Sequence, residues 1–327
     1  MRIVWSVLLL LIFIPGYSGE PRLALLRGEP KIAMRPVPLV ADQPGRRRVG
    51  ALTYLGGVEL TSPDGAFGGF SAMQISGDTF LMLNDGGNFV RFRMGSDWRM
   101  HDARYGFLRD GPGTGWTKIQ RDSESLARDP ASGSLWVGFE DANAIWRYDA
   151  ALSHATGHVA PPVMRKWPGS SGPESMARMP DGSFIVISEG KGWRKGRGRA
   201  AVRFAGDPVA HPRRGYRFGY MPPKGYSPSD MTVLPDGRIV VLNRTVRLPS
   251  LQFPVKVTLI DPAAIGPGRL VRGRVIATFA SPVIDDNYEA IAATREGDAT
   301  ILWIASDDNL SALQRTLLLK FRLDPGI

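Results

Sequence analysis

A two-strand motif recurs through this chain, and its spacing constrains the fold more than any other feature. Each copy consists of two runs of strand-forming residues joined by a tight turn that contains glycine, as in Asp181-Gly182 and Asp236-Gly237. Such pairs are typical of hairpin turns, because glycine supplies the positive φ that the turn requires. The copies cover residues 69–85, 122–140, 172–189, 227–244 and 287–307.

The interval between copies is about 50–60 residues, the length expected of the blades of a β-propeller. The second run of each hairpin is continuously apolar, as over residues 184–187 and 239–242. That pattern is typical of a strand buried between two stacked sheets. Two further strands can be placed after most hairpins, including residues 162–167 and 271–279. The sequence therefore predicts an all-β fold with four-stranded blades.

The number of hairpins predicts five blades. Only one more strand, residues 316–323, can be placed after the last hairpin, so we expect residues 50–61 to supply its outer strand. Closure by this N-terminal strand would hide the exposed strand edges of the ring. A sixth blade is the alternative, but it would need a full hairpin within residues 20–60, and none is evident there.

The N-terminus predicts export. Residues 3–14 form an apolar run broken only by Ser6, and small residues follow it, which is typical of a signal peptide over residues 1–19. The run is shorter than the roughly 20 residues of a membrane span, and an uncleaved anchor is the alternative. Residues 20–48 then form an extended lead-in to a single propeller domain over residues 49–327. We expect a periplasmic or secreted monomer with no transmembrane span after signal removal.

Composition excludes several kinds of site. The chain has no cysteine, which excludes disulfides, thiolate nucleophiles and Cys-based metal sites. It also has no Gly-x-Ser-x-Gly nucleophile motif. The net charge of +10, densest over residues 46–48 and 191–199, favours an anionic small-molecule substrate such as a phosphate ester, or else reflects solvated loops. Nucleic acid is not an expected partner, because no motif for it is present.

The repeat register brings acidic residues together. At the start of the inner strands, the equivalent positions hold Ser71, Glu124, Glu174, Ser229 and Glu289. Just after the second strands, they hold Asp85, Glu140, Glu189, Arg244 and Asp307. A hairpin brings its two ends together, so we expect both sets to meet at one mouth of the central channel. Seven of these ten positions are carboxylates, whereas Asp and Glu make up only 31 of the 327 residues.

Carboxylates around one axis repel each other unless cations, raised pKa values or basic side chains neutralise them. Oxygen ligands suit Ca²⁺, the cofactor we expect, and the candidate metal ligands are Glu124, Glu189, Asp307, Asp308 and Asp85. The candidate catalytic residues are Glu174 and Glu289, which would orient a water molecule, and Arg244 and Arg315, which would hold substrate oxygens. Two alternatives remain open: the acids bind backbone groups between blades, or the arginines form salt bridges with ring carboxylates.

Two C-terminal stretches resemble a known family. They are Asn287-Tyr-Glu-Ala-Ile-Ala-Ala293 and Leu302-Trp-Ile-Ala-Ser-Asp-Asp-Asn-Leu-Ser-Ala-Leu-Gln-Arg-Thr-Leu-Leu-Leu-Lys-Phe321. Together they are similar to the C-terminal signature of the bacterial "esterase-like activity of phytase" family. Gly68-Gly-Phe-Ser-Ala-Met73 and Phe80-Leu-Met-Leu-Asn-Asp85 resemble its first hairpin, so the resemblance covers roughly residues 50–323.

The resemblance implies an exported bacterial propeller. Through the related calcium-dependent propeller phytases, it also implies hydrolysis of a phosphate ester or a related ester. It supplies no catalytic residues, and a shared fold does not fix the chemistry. The main prediction is therefore an exported, Ca²⁺-dependent hydrolase that acts at an acidic channel mouth. The alternatives are a non-catalytic envelope protein that binds an anionic ligand or protein partner, and a metal-independent carboxylesterase.

Overall fold

A computed structural model describes residues 22–249, 251–311 and 313–327. Its strands form five antiparallel sheets arranged in a ring, which confirms the predicted all-β propeller and its five blades. Within the described residues, the helices are single 3₁₀ turns at Ile119–Arg121, Arg194–Gly196 and Pro262–Ala264. The predicted signal peptide lies outside the described residues. Across those that are described, no helix has the length and apolar character needed to cross a membrane.

The first blades follow the predicted plan of inner hairpin and outer strands. The N-terminal strands are β1 (Ala33–Pro36), β2 (Arg48–Val49) and β3 (Leu52–Thr61). Blade 1 consists of β4 (Phe70–Ser76), β5 (Thr79–Asn84), β6 (Asn88–Met94) and β7 (Met100–Phe107). Blade 2 consists of β8 (Ser123–Arg128), β9 (Leu135–Phe139), β10 (Ala144–Tyr148) and β11 (Ala155–Val159). Blade 3 contains β12 (Ser175–Arg178), β13 (Phe184–Gly192), β14 (Arg199–Phe204) and β15 (Gly215–Met221).

The last two blades close the ring. Blade 4 consists of β16 (Ser227–Val233), β17 (Ile239–Arg244), β18 (Val255–Ile260) and, after the short β19 (Leu270–Arg272), β20 (Arg274–Phe279). Blade 5 is formed by β21 (Tyr288–Glu296), β22 (Ala299–Ser306) and β23 (Thr316–Leu323), with β3 beside β23. The β3–β23 register pairs Leu60 with Thr316 and Leu52 with Leu323, as the closure prediction requires. Strand β1 pairs with the other edge of β3 and extends this sheet outward.

Two predicted outer strands differ from the structure. Residues 162–167 form consecutive turns, and β11 lies earlier in the chain; Pro161 and Pro162 have no N–H to donate to a sheet. The predicted strand over 271–279 is divided at Gly273, where a Cβ would lie 2.8 Å from the Thr258 Cβ. On one side of this glycine, β19 pairs in parallel with β15 of blade 3. On the other side, β20 completes blade 4.

The hydrophobic core lies between the blades. Five clusters of buried residues fill the five junctions; between blades 4 and 5, for example, Phe279 packs edge-on against Phe321 with ring centroids 5.3 Å apart. Between blades 5 and 1, Trp303 packs against Phe80 at 4.8 Å. Each fully buried aromatic or aliphatic side chain contributes about 1.5–3 kcal/mol to the free energy of folding. The five junctions therefore hold the inner strands in a fixed ring around the channel.

Candidate functional site

A β-bulge lies at the same place in four of the five inner strands. The residues left unpaired are Ser71 in β4, Glu124 in β8, Ser229 in β16 and Glu289 in β21. In blade 3 the equivalent residue, Glu174, directly precedes β12. A bulge turns one side chain away from the regular alternation of a strand. The repeated bulge thus explains why one residue per blade faces its neighbours at the channel mouth.

The two serines at these positions link adjacent blades. The Ser71 hydroxyl donates to the carbonyl of Ser123 at 2.6 Å, and the Ser229 hydroxyl donates to the carbonyl of Tyr288 at 3.1 Å. The three glutamates face residues at the ends of the second strands. We use the term acidic ring for Asp85, Glu124, Glu140, Glu174, Glu189, Glu289 and Asp307.

Arg244 joins three blades within the acidic ring. It ends β17 of blade 4, and its Nη2 lies 3.5 Å from Glu174 and 3.4 Å from Glu189 of blade 3. On its other side, the same nitrogen lies 3.2 Å from Glu289 of blade 5. Burial disfavours the Arg244 cation, but these carboxylates outweigh that effect and raise its pKa above the ordinary value. Arg244 therefore stays charged and neutralises part of the acidic ring, as one of the two open alternatives predicted.

Carboxylate oxygens approach each other closely in two groups of three residues. One oxygen each of Asp122, Glu124 and Glu140 lies within 4.8 Å of the others, and the same holds for Glu140, Glu174 and Glu189. The pKa of Glu140 is raised to about 8. Burial is the largest cause, followed by the charge of Asp122 and a hydrogen bond with it. Glu140 also accepts a hydrogen bond from the Gly172 N–H at 3.2 Å. Glu140 thus belongs to both groups.

Burial also raises the pKa values of other members of the ring. The pKa of Glu124 lies well above its ordinary value because of burial first, and then because of the carboxylates of Glu174 and Glu289. The pKa of Glu174 is raised by burial and by Glu189, although Arg244 opposes this. The pKa of Asp307 is raised by burial and then by Glu289. At this mouth, burial together with the neighbouring carboxylates therefore outweighs the opposing effect of Arg244 on these pKa values.

The remaining predicted residues have separate partners. Asp85 forms an ion pair with Lys118, and burial nevertheless raises the pKa of Asp85 to about 6. Asp308 accepts hydrogen bonds from the Gly69 N–H at 2.8 Å and the Thr316 hydroxyl at 2.8 Å. Its carboxylate thus joins blades 1 and 5. The Arg315 Nε lies 3.3 Å from Asp286, so Arg315 does not join Arg244 in bridging the glutamates.

One glycine permits the contact between blades 1 and 5. Gly68 has a φ of +124°, and a Cβ there would lie 2.4 Å from Asp308 Oδ1. A side chain at this position would collide with the carboxylate that binds the next N–H. Two segments that are far apart in sequence, residues 68–73 and 302–321, therefore meet at the closure of the ring.

Sequence reasoning missed two charged residues of the mouth. Asp122 precedes β8 and shares hydrogen bonds with Glu124 and Glu140, and Lys118 comes from the loop before it. Lys118 lies outside the repeat copies, so the register gave no signal for it. Asp122 could have been found as the residue two before Glu124, in line with the acidic and amide residues before Glu289.

A comparison with protein families identifies one match for this chain. A family model described as phytase-like, esterase-like activity of phytase, matches residues 65–310. A search of curated proteins found no match.

Two solved structures show distant likeness. Hydrazine synthase of Kuenenia stuttgartiensis is 15% identical with a TM-score of 0.38, and the alignment covers 75% of this chain but only 58% of that one. The major allergen Mala s 1 of Malassezia sympodialis is 13% identical with a TM-score of 0.42, over 86% and 92% of the two chains. TM-scores this low carry no argument about function. The family match, by contrast, spans most of the chain, and this protein belongs to the phytase-like family, esterase-like activity of phytase.

Proposed function

We propose that this protein is an exported, monomeric hydrolase that cleaves a phosphate ester or a related ester at the acidic ring, with Ca²⁺ as its cofactor. The observation that carries the proposal is the close approach of carboxylate oxygens from Glu140, Glu174 and Glu189, which lie within 4.8 Å of one another. Membership of the phytase-like family is consistent with this reaction class. We also propose a periplasmic or extracellular location, which is supported by the N-terminal sequence alone.

The donor set fits a hard divalent cation. Ca²⁺ takes six to eight oxygen ligands at about 2.3–2.6 Å, and carboxylates are its preferred protein ligands. Glu140, Glu174 and Glu189 would hold the ion, or else Asp122, Glu124 and Glu140 would. Burial first, and neighbouring carboxylates second, raise the pKa values of Glu124 and Glu174, and a bound cation would stabilise their ionised forms. When bound, Ca²⁺ would polarise a phosphoryl oxygen and lower the pKa of a coordinated water molecule.

The protein's own residues would position the substrate. Arg244 keeps its charge and has 24% of its side chain exposed, so its guanidinium can exchange a glutamate contact for a substrate oxygen. Arg315 is 39% exposed and forms a salt bridge with Asp286. A carboxylate of the ring, Glu174 or Glu289, would accept a proton from the attacking water. Asp85, Asp307 and Asp308 would act as further metal ligands only if they left their present partners.

A non-catalytic binding protein is the second candidate. The observation that favours it is Arg244 itself, whose Nη2 lies 3.2–3.5 Å from three glutamates and neutralises part of their charge. In that case the acidic ring is a structural closure of the channel. An anionic ligand or protein partner would then bind at the mouth without being hydrolysed.

A metal and substrate panel separates the two candidates. Purified protein that lacks residues 1–19 is assayed with p-nitrophenyl phosphate and p-nitrophenyl butyrate, with added Ca²⁺ or with EDTA. We expect phosphatase activity that requires Ca²⁺ and that is lost in Glu174→Gln. The matched control is Glu29→Gln, which changes an exposed glutamate outside the ring.

Calorimetric titration of Ca²⁺ accompanies the activity assay. Ca²⁺ binding without turnover of either substrate would favour the binding protein. The absence of Ca²⁺ binding in the wild type would overturn the metal-dependent hydrolase. Ester hydrolysis that persists in EDTA would instead support a metal-independent esterase.

A further inference from the structure

A cavity lies on blade 3, outside the acidic ring. It has a volume of about 600 Å³ and is bounded by the turns over residues 162–167, by the hairpin loop between β13 and β14, and by β15. None of the residues of the acidic ring lines it. We call it the blade-3 groove. It is therefore separate from the site to which the proposed hydrolysis is assigned.

All of the charged residues that line the blade-3 groove are cations. They are Arg165, Lys166, Lys191, Arg194 and Arg217. None of the five forms a salt bridge with an acidic residue in the part of the chain that the structure describes. A second cavity of about 350 Å³ shares Tyr216 and Arg217 and adds Arg213 and Arg214. Positive charge thus runs continuously along one side of the blade.

Neighbouring arginines on blades 2 and 3 behave differently. Arg203 lies 2.7 Å from Asp181, Arg178 lies 3.3 Å from Asp129, and Arg147 pairs with Asp207 at 2.5 Å. Protein surfaces usually intersperse the two signs of charge in this way. A groove in which like charges converge without a counter-charge repels itself, and an anionic ligand removes that repulsion. The contrast on the same blades points to a ligand rather than to the general basic composition.

The groove also has an ordered aromatic side. Trp193 lies against Gly219 of β15, where a Cβ would be 2.4 Å from the indole, so only glycine allows this position. The Arg194 guanidinium lies over the Trp193 ring, 5.3 Å from its centroid. Backbone hydrogen bonds from Trp193 N–H to the Gly198 carbonyl at 3.1 Å and from Gly196 N–H to the Trp193 carbonyl at 2.8 Å hold the loop. The cations thus extend from a defined loop.

We propose that the blade-3 groove is a binding site for a ligand that carries several phosphate groups. Arginine guanidinium groups bind phosphate oxygens through two parallel hydrogen bonds, and lysine adds point charge. Five cations around about 600 Å³ exceed what one phosphate can neutralise, so a ligand with more than one phosphate fits the charge. Phosphate groups of this kind occur on free oligophosphates and on clustered lipid headgroups.

Two probes test the proposal and separate the two sources. Binding of tripolyphosphate is measured by isothermal titration calorimetry, and binding to vesicles of equimolar phosphatidylglycerol and phosphatidylcholine by co-sedimentation. Both assays contain EDTA, so that no metal at the acidic ring contributes and a failure of the proposed hydrolase does not affect the result. The protein is the chain that lacks residues 1–19.

The decisive variant is the double substitution Arg194→Gln and Arg217→Gln. Both residues are exposed, so we expect the fold to persist, and thermal melting checks this. We expect at least about a tenfold increase in Kd for the probe that binds. The matched control, Arg104→Gln with Arg322→Gln, removes two exposed arginines from blades 1 and 5 and should change Kd little.

Each outcome of these binding measurements either supports or overturns the proposal. If tripolyphosphate binding is lost in the groove variant but not in the control, the proposal is supported with a free anion as the ligand. If this pattern appears only with vesicles, the proposal is supported with a lipid headgroup as the ligand. Equal weakening in the groove variant and the control would assign binding to net charge and overturn the proposal. Failure of the wild type to bind either probe would also overturn it.

Discussion

Replacing Glu140 by Gln should stabilise the metal-free protein at alkaline pH. Glu140 is 8% exposed, and burial together with Asp122 raises its pKa from 4.5 to about 8. Glutamine resembles the protonated acid in shape and has no charge. Its Oε1 can still accept the hydrogen bond from the Gly172 N–H. The substitution therefore removes the charge and leaves the packing in place.

The sign and size of the effect follow from proton linkage. Folded Glu140 holds its proton more tightly than the unfolded chain does, so the free energy of unfolding is greatest below pH 4.5 and falls as the pH rises toward about 8. At about 1.36 kcal/mol per pKa unit, the ionised side chain costs on the order of 3–5 kcal/mol. We expect Glu140→Gln to match the wild type at pH 5 and to exceed its stability by that order at pH 8.

Urea unfolding in EDTA at pH 5 and pH 8 measures the effect. Glu29→Gln is the control, because Glu29 is exposed and lies outside the acidic ring. A wild-type stability that does not change between the two pH values would refute the reasoning. So would a Glu140→Gln variant that is destabilised equally at both, because that result would assign Glu140 a structural hydrogen-bonding role instead of an unfavourable charge.

Three further predictions concern the same framework. Arg244→Met should lower the free energy of unfolding by about 3–5 kcal/mol at pH 8 and by less at pH 5, where the glutamates can take up protons, as urea unfolding would show. Saturating Ca²⁺ should raise the melting temperature of the wild type more than that of Glu174→Gln; equal shifts would remove Glu174 from the metal ligands. Tyr220→Phe should cost about 1–3 kcal/mol, because its buried hydroxyl bonds Asn243 at 2.7 Å and Thr258 at 2.8 Å; an unchanged urea midpoint would contradict this.

Local chemistry made most of the fold predictable. Glycine turns and apolar second strands identify the hairpins, as at Gly182 and Gly237, whose φ values are +81° and +87°. The repeat then gave the blade number and the pairing of β3 with β23. The strand prediction was wrong over residues 162–167, where the apolar residues lie between prolines that cannot donate to a ladder of hydrogen bonds.

The candidate site was predictable only in part. Positions within the repeat, such as Glu174 and Glu289, could be placed at one mouth because each lies at the same end of its hairpin. Lys118 lies in a connection outside the repeat copies, so its position depends on how that loop packs. The blade-3 groove is of the same kind, since it is formed where the turns over residues 162–167 and the β13–β14 loop pack beside β15.

The sequence by itself determined the ring of five hairpins and the side of the ring on which the acids gather. Both depend on glycine turns and continuously apolar second strands, which are features of a few residues, and on the register in which these features repeat. Only the tertiary structure decided which charges meet: Arg244 reaches glutamates 70 and 55 residues before it and 45 after it, and Asp308 binds a backbone N–H of blade 1. Such contacts depend on how neighbouring blades pack, because charge energies change steeply with distance and burial, and sequence spacing encodes neither.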